Sequence, residues 1–176
     1  ASITNLLPKS FEPHIRRVIT DHVRAIVFLV SDGVTPSNKD RGYVLRRLIR
    51  RIIVHEHLLS ENTLHFDELF KEVIREYKPF YSKLDESTVL EEFRKEEEKF
   101  AKTIRSGLKE FDRATTIDAP TAFRLFESYG LPYEILKELG GKKATSLSRE
   151  AFDEEFKKHQ EKSRAGAEKK FGGHGR

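Results

Sequence analysis

The segment DGVTPSNKDRGYVLRRLIRR, Asp32 to Arg51, decides the fold, because a polar turn in it runs directly into a helix with one apolar face and one arginine face. An α-helix has about 3.6 residues per turn, so each residue advances by about 100°. Counted from Val44, the residues Leu45, Leu48, Ile49, Ile52 and Ile53 fall with it in one half of the wheel. Arg46, Arg47, Arg50 and Arg51 occupy the other half, and Arg41 lies just upstream. Surface helices usually mix their signs to gain pairs between residues three and four apart. This face contains no acid, and guanidinium forks are suited to phosphate because they engage two oxygens at once and are weakly hydrated. The turn before the helix, VTPSNKDRG, offers Pro36, Ser37, Asn38 and Asp40 as turn and N-cap residues. It sets Asn38 beside the positive end of the helix dipole, a place for an anion or a polar base edge.

Working outward, the pattern predicts helices almost throughout, since apolar residues recur at three and four rather than at two. A helix over 13–31 carries Ile15, Val18, Ile19, Val23, Ile26 and Leu29 on one face, and Asp32 and Gly33 close it. Its second half, AIVFLV, is apolar all round and marks the central buried helix. His22, on or beside that stripe, reads as a hydrogen-bonded core histidine without chemistry. After a looser stretch at 56–66, FDELFKEVIREY is a short amphipathic helix ended by Pro79. One long helix is expected from Ser87 to Arg113, with an apolar stripe of Val89, Leu90, Phe93, Phe100, Ile104, Leu108 and Phe111 interrupted by Glu96 and Glu97. The run RKEEEK inside it reads as a solvated face. In IDAPTAFRLFESYGLPYEILKELGG, Asp118 and Pro120 open a helix that Gly130 closes, and Pro132 begins another that Gly140 ends. Glu127 sits among the aromatics of the first of these. A last helix is expected from Ser148 to about Lys162.

These elements define an all-α fold, an irregular bundle of about six to eight helices with a helical hairpin at the N-terminus and a smaller C-terminal helical lobe. One domain is expected over 1–165, with possible lobes 1–115 and 116–165, followed by a flexible tail or linker at 166–176.

Composition narrows the function. With 35% charged and 37% apolar residues and no apolar run near the roughly 20 residues a membrane span needs, insertion into a bilayer is excluded. The absence of cysteine removes disulfides, thiolate catalysis and cysteine zinc sites, and is compatible with a reducing cytoplasm. The net charge of +4 is unevenly spread: residues 1–55 carry +6, residues 56–118 carry −5 and residues 119–176 carry +3. A phosphate-bearing partner is therefore drawn to the N-terminal third. No phosphate loop, nucleophile elbow or metal-ligand spacing is present; His55 and His57 diverge by about 200° on a helix and cannot share a metal. Binding is the better reading, with a nucleic-acid duplex as the partner. A DNA-binding hairpin and a protein-docking module are the alternatives these residues leave open.

Two stretches, DHVRAIVFLVSDGVTPSNKDRGYVLRRLIRR at 21–51 and TAFRLFESYGLP at 121–132, closely resemble signature segments of the alanyl-tRNA synthetase family. HQEKSRAGAEKKFGG at 159–173 is similar to the family's passage toward its editing domain. The resemblance covers about Arg17 to Gly173. It implies the helical tRNA-recognition region that follows the class II catalytic domain, in an ATP-dependent ligase of the cytoplasm. The chain itself lacks the catalytic and editing centres and is expected to be inactive alone. No cofactor is expected in it; the parent enzyme would use ATP with magnesium, and zinc in its editing domain. The implied partners are the acceptor stem of tRNA(Ala), with its G·U wobble at the third base pair, and the parent's catalytic domain; no membrane is implied. The implied base readers are Asn38 and Glu127, the latter standing where the family more often has Asp. Arg41, Arg46, Arg47, Arg50 and Arg51 would contact phosphates.

Overall fold

The computed structural model describes residues 3–59 and 64–171, with side chains to 167. Among the described residues there are nine α-helices, one 3₁₀ turn and no strand, so the chain is all-α as its periodicity requires. The helix count exceeds six to eight because a short α1, Ile3–Leu6, precedes the hairpin and because the expected long helix is two. The chain divides into two compact units, 1–102 and 103–176, a division that falls earlier than 115/116.

In the first unit, α2 (Pro13–Ser31) packs against α1, α3 (Asp40–Leu58), α4 (Phe66–Tyr77) and α5 (Glu86–Ala101), and is the central helix that its all-round apolar half predicts. Proline at its first position has no N–H to leave unpaired. Its C-terminus closes with Gly33 at φ 88°, a left-handed conformation that costs glycine little. There the Gly33 N–H donates to the Val30 carbonyl at 2.9 Å and the Val34 N–H to the Leu29 carbonyl at 3.0 Å, satisfying two end carbonyls. Ile19, Val23, Ile26 and Val27 are fully buried, as are Leu45, Ile49, Ile52 and Val54 of α3, so the two helices form the expected hairpin. The loosening expected from residue 56 begins later, because α3 continues through Leu58; residues 60–63 lie outside the described residues.

The second unit comprises α6 (Ile104–Arg113), α7 (Ala119–Tyr129), α8 (Tyr133–Gly140), the 3₁₀ turn Gly141–Ala144 and α9 (Arg149–Phe171), with an aromatic cluster between α7 and α9. Phe123 and Phe126 of α7 meet Phe152 and Phe156 of α9 at ring-centroid distances of 5.8 to 6.0 Å. The punctuation of α7 is as expected: the Asp118 carboxylate accepts the Thr121 N–H at 2.9 Å, and Gly130 ends the helix at φ 73°. The last helix outruns its expected end at Lys162 and reaches Phe171, through part of the expected tail. Ala, Glu and Lys in SRAGAEKK are good helix formers, and they sustain a helix there without an apolar stripe. Residues 172–176 of the expected tail lie outside the described residues.

The expected helix over Ser87–Arg113 breaks at Lys102–Thr103. Its stripe does not reveal the break, because Phe100, Ile104, Gly107 and Phe111 continue the helical phase across it and all are buried. Tertiary contacts within the second unit favour the break. The Thr103 hydroxyl donates to the Tyr129 carbonyl at 2.7 Å, and Gly107 lets α6 approach α7 closely. A Cβ on Gly107 would stand 2.7 Å from the Cβ of Tyr129. Gly107→Val is expected to destabilise the chain by about 1–3 kcal/mol, the usual cost of overpacking. Urea unfolding followed by circular dichroism would measure it, and an unchanged midpoint would show that the two helices separate freely.

Candidate nucleic-acid interface

The turn before α3 is held from within. The Ser37 N–H donates to the Gly42 carbonyl at 3.1 Å, the Ser37 hydroxyl donates to the Lys39 carbonyl at 3.0 Å and accepts the Lys39 N–H at 3.3 Å. Gly42 is buried against this turn, and a Cβ there would collide with the Ser37 hydroxyl and lie 2.5 Å from the Thr35 carbonyl oxygen. Asp40 adopts φ 50°, a left-handed conformation that aspartate tolerates better than most residues. The folded-back turn leaves Asn38 exposed ahead of the first helical turn.

The arginine face is not an open stripe. On α5, Val89, Phe93, Glu96 and Phe100 fall within about 60° of one another at 100° per residue, so Glu96 occupies an apolar position and is 1% exposed. Its carboxylate meets α3. The Arg46 Nε donates to Glu96 Oε1 at 2.7 Å and its Nη2 to Oε2 at 3.5 Å, while the Arg50 Nε donates to Oε1 at 2.9 Å. Arg46 and Arg50 are thereby reduced to 15% and 14% exposure. Burial lowers the Arg50 pKa and Glu96 opposes that shift, and a guanidinium stays charged throughout the ordinary pH range. The Arg50 guanidinium also lies 5.0 Å from the centroid of the Phe100 ring. The reading of RKEEEK as a solvated face fails at Glu96, which supplies the acid that the α3 face lacks in its own sequence. Conversely Val44, expected on the apolar face, is 38% exposed. Because α3 is packed by α2 and α5, the covered arc turns away from Val44 and reaches Arg46 and Arg50.

The remaining predicted arginines are placed differently. Arg41 is 61% exposed and forms a 3.4 Å ion pair with Asp32 at the end of the hairpin turn. Arg47 lies 4.8 Å from the centroid of the Tyr43 ring, and the Arg51 Nη1 approaches His22 Nε2 at 3.4 Å. His22 is half-buried with this partner, in keeping with a hydrogen-bonded structural histidine. Arg46 joins the ion-pair network to the turn, because its Nη1 donates to the Asn38 side-chain carbonyl. A guanidinium can only donate, so the Asn38 oxygen faces Arg46 and its amide NH₂ is directed away from that contact.

Glu127 belongs to the second unit. It is 58% exposed, with Oε2 3.9 Å from His159 Nδ1, and the His159 ring packs on Phe123 with centroids 4.2 Å apart. Among the described residues, no group of three or more His, Cys, Asp or Glu side chains is arranged to hold a metal ion, and no helix is long and apolar enough to cross a membrane.

Family comparison places this arrangement among aminoacyl-tRNA synthetases: the model for class II tRNA synthetases (A) matches residues 9–174, and the chain belongs to that family. Among the curated relatives it matches are alanine–tRNA ligases. That of Borrelia hermsii is 40% identical over 167 residues, covering 89% of this chain and 28% of the relative. That of Clostridioides difficile is 41% identical over 159 residues, covering 84% and 18%, and that of Thermotoga maritima is 40% identical over 155 residues, covering 85% and 18%. The chain thus spans less than a third of the length of these relatives.

Sequence reasoning missed Glu96 as a site residue. A signal was present, since a carboxylate at the apolar register of α5 calls for a hydrogen-bonded or cationic partner, but the sequence does not say which residues supply it. Glu96→Ala would leave two largely buried guanidinium groups without their acid and is expected to cost about 3–5 kcal/mol. Denaturant unfolding would measure this, and a loss below 1 kcal/mol would show that water replaces the carboxylate. A second acid of α5, Glu97, faces Glu56 of α3. Burial, with Glu97 adding repulsion, raises the Glu56 pKa to about 7. A carboxyl pKa raised by folding favours the protonated native state, so this contribution to stability is full below the ordinary value of 4.5 and is lost as pH rises to about 7. Glu56→Gln is expected to flatten the fall in thermal stability between pH 5 and pH 8. An unchanged pH profile in the variant would remove Glu56 from that role.

Proposed function

We propose that this chain is the helical tRNA-binding part of an alanine–tRNA ligase and that it reads the acceptor stem, including its G·U wobble pair. The single observation that carries the reading is the exposed Asn38 amide, held by Arg46 and projecting its NH₂ from a rigid turn at the start of α3. An amide N–H donor suits the wide minor groove of an RNA helix, where acceptor edges and 2′-hydroxyls are displayed. Glu127, as a carboxylate, can accept from an exocyclic amino group such as that of guanine. Its arm is one methylene longer than that of the Asp more usual in the family, so a direct contact with the wobble pair is less secure at Glu127 than at Asn38. The alanine–tRNA ligase names of the curated relatives support RNA over a DNA duplex.

Phosphate contacts are divided unequally under this reading. Arg41 is the most open of the five arginines and supplies the strongest counterion-releasing contact, with Arg47 and Arg51 flanking it on α3. Arg46 and Arg50 spend their Nε donors on Glu96 and act chiefly as supports, with only their outer edges toward phosphate. Activation of alanine, ATP with magnesium, and zinc-dependent editing are assigned to the rest of a parent enzyme working in the cytoplasm.

The capture of Arg46 and Arg50 by Glu96 favours a second reading, in which the α3 face seats against the parent's catalytic domain rather than on RNA. One titration separates them. Acceptor-stem hairpins that differ only in G·U or G·C at the third pair are expected to bind with different affinity, by about 1–3 kcal/mol if the readout is a well-formed base contact. Asn38→Ala is expected to erase that difference, and Arg41→Ala to weaken both hairpins alike and reduce the salt slope by about 1. Equal affinity of the unaltered chain for both hairpins at fixed salt would reject the base-reading proposal, and a salt-independent affinity would favour the docking reading.

A further inference from the structure

We propose that Glu96 is a positioning residue for base recognition: it acts through Arg46 to hold the Asn38 amide in one orientation. The inference rests on the reading of Asn38 given above and extends it to a buried residue of another helix.

The geometry is a relay of three side chains from three places in the sequence. Glu96 enters from α5, 1% exposed, and takes the Arg46 Nε at 2.7 Å and Nη2 at 3.5 Å, which fixes the plane of the guanidinium. The guanidinium is rigid and planar, so fixing that edge also fixes the direction of Nη1. Nη1 is the atom that donates to the Asn38 carbonyl. An exposed asparagine ordinarily samples several rotamers and both amide orientations, at an entropic cost when one is required. A clamped donor on its oxygen removes that freedom before RNA arrives, which is how preorganisation improves recognition. Arg50 completes the clamp. Its Nε shares Oε1 at 2.9 Å, and its guanidinium lies over Phe100, so the carboxylate is held from two sides. Two guanidinium groups on one carboxylate leave a net positive charge at the base of the turn, which suits an approaching phosphodiester.

A residue with only a packing role would affect both hairpins equally. A residue that orients the reader acts on the difference between them. Glu96→Gln keeps the shape but presents an amide whose NH₂ opposes a guanidinium, so the fork loses its two-oxygen seat. The expected result is a folded chain in which a G·U preference of about tenfold, the scale of one good base contact, falls nearly to unity. Affinity for the G·C hairpin stays within about twofold, and Glu96→Gln with Asn38→Ala discriminates no worse than Asn38→Ala alone, as residues acting in series do. Nitrogen-15 relaxation of the Asn38 side-chain amide gives an independent readout without RNA. Its order is expected to be high in the unaltered chain and to drop in Glu96→Gln and in Arg46→Lys, whose single ammonium cannot span both partners. Undiminished discrimination with unchanged Asn38 order in a folded Glu96→Gln chain would overturn the proposal, as would an equal loss on both hairpins. If the unaltered chain shows no preference, base reading by Asn38 is what fails. The relaxation measurement then decides the positioning claim by itself. Should Glu96→Gln unfold, Glu96→Asp keeps the charge but is too short to reach both arginines, and the same two readouts decide.

Discussion

One buried carboxylate organises the first unit. Glu96 is set among Val89, Phe93 and Phe100 on α5, and α3 brings Arg46 and Arg50 to it. Moving a carboxylate out of water costs several kcal/mol, and only close, hydrogen-bonded cations offset that cost. The requirement is directional as well as energetic. An apolar residue at 96 could pack against α3 in several rotations, whereas a carboxylate shared by two Nε donors fixes both the rotation and the sliding of α3 over α5. The position of the PSN turn, and therefore of Asn38, follows from that fixed rotation.

The same interaction redistributes charge. The strongly basic N-terminal third and the acidic middle third are partly neutralised against one another across α3 and α5, so the basic potential that remains is concentrated where Arg41 and Lys39 flank the exposed turn. A uniform arginine stripe would hold a polyanion without regard to its sequence, because phosphate contacts carry no base information. Using two of the arginines as internal supports makes part of that surface a mount for the exposed Asn38 amide, the base reader of the proposed function. Under the proposed function such a mount acts in choosing the tRNA, while more open cations contribute general affinity.

The second unit is built on a different principle. Buried aliphatic residues such as Ile117, Leu125, Ile135 and Leu136 are joined there by a cluster of Phe123, Phe126, Phe152 and Phe156 packed ring to ring, and Gly107 permits the close approach of α6 to α7. Glu127 projects from the exposed side of α7 and is joined to α9 through His159, whose ring rests on Phe123. This support is softer than the one under Asn38: the Glu127–His159 approach is 3.9 Å and both side chains are substantially exposed. The two candidate base readers are thus built with unequal rigidity.

The sequence by itself determined the elements whose causes are local. The spans of α2, α4, α7 and α8 follow from helical periodicity closed by Gly33, Pro79, Gly130 and the Gly140–Gly141 pair, in which Gly140 is the last helical residue and Gly141, at φ 49°, is the cap, since caps and breakers act within a turn or two of themselves. The pairing of α2 with α3 follows from the short turn between two apolar faces, and Asn38 stood out because its turn and its family resemblance coincide. Tertiary structure alone decided what depends on residues far apart in the chain. The break at Lys102–Thr103 is hidden by an unbroken apolar phase and is fixed by contacts of Thr103 and Gly107 with Tyr129. The fate of the arginines was equally hidden, because a helical wheel shows only the neighbours on one helix. The acid that holds Arg46 and Arg50 lies 50 and 46 residues away. Periodicity could mark Glu96 as out of place in an apolar stripe, but only the packing of α5 on α3 could show which cations it had been placed to meet.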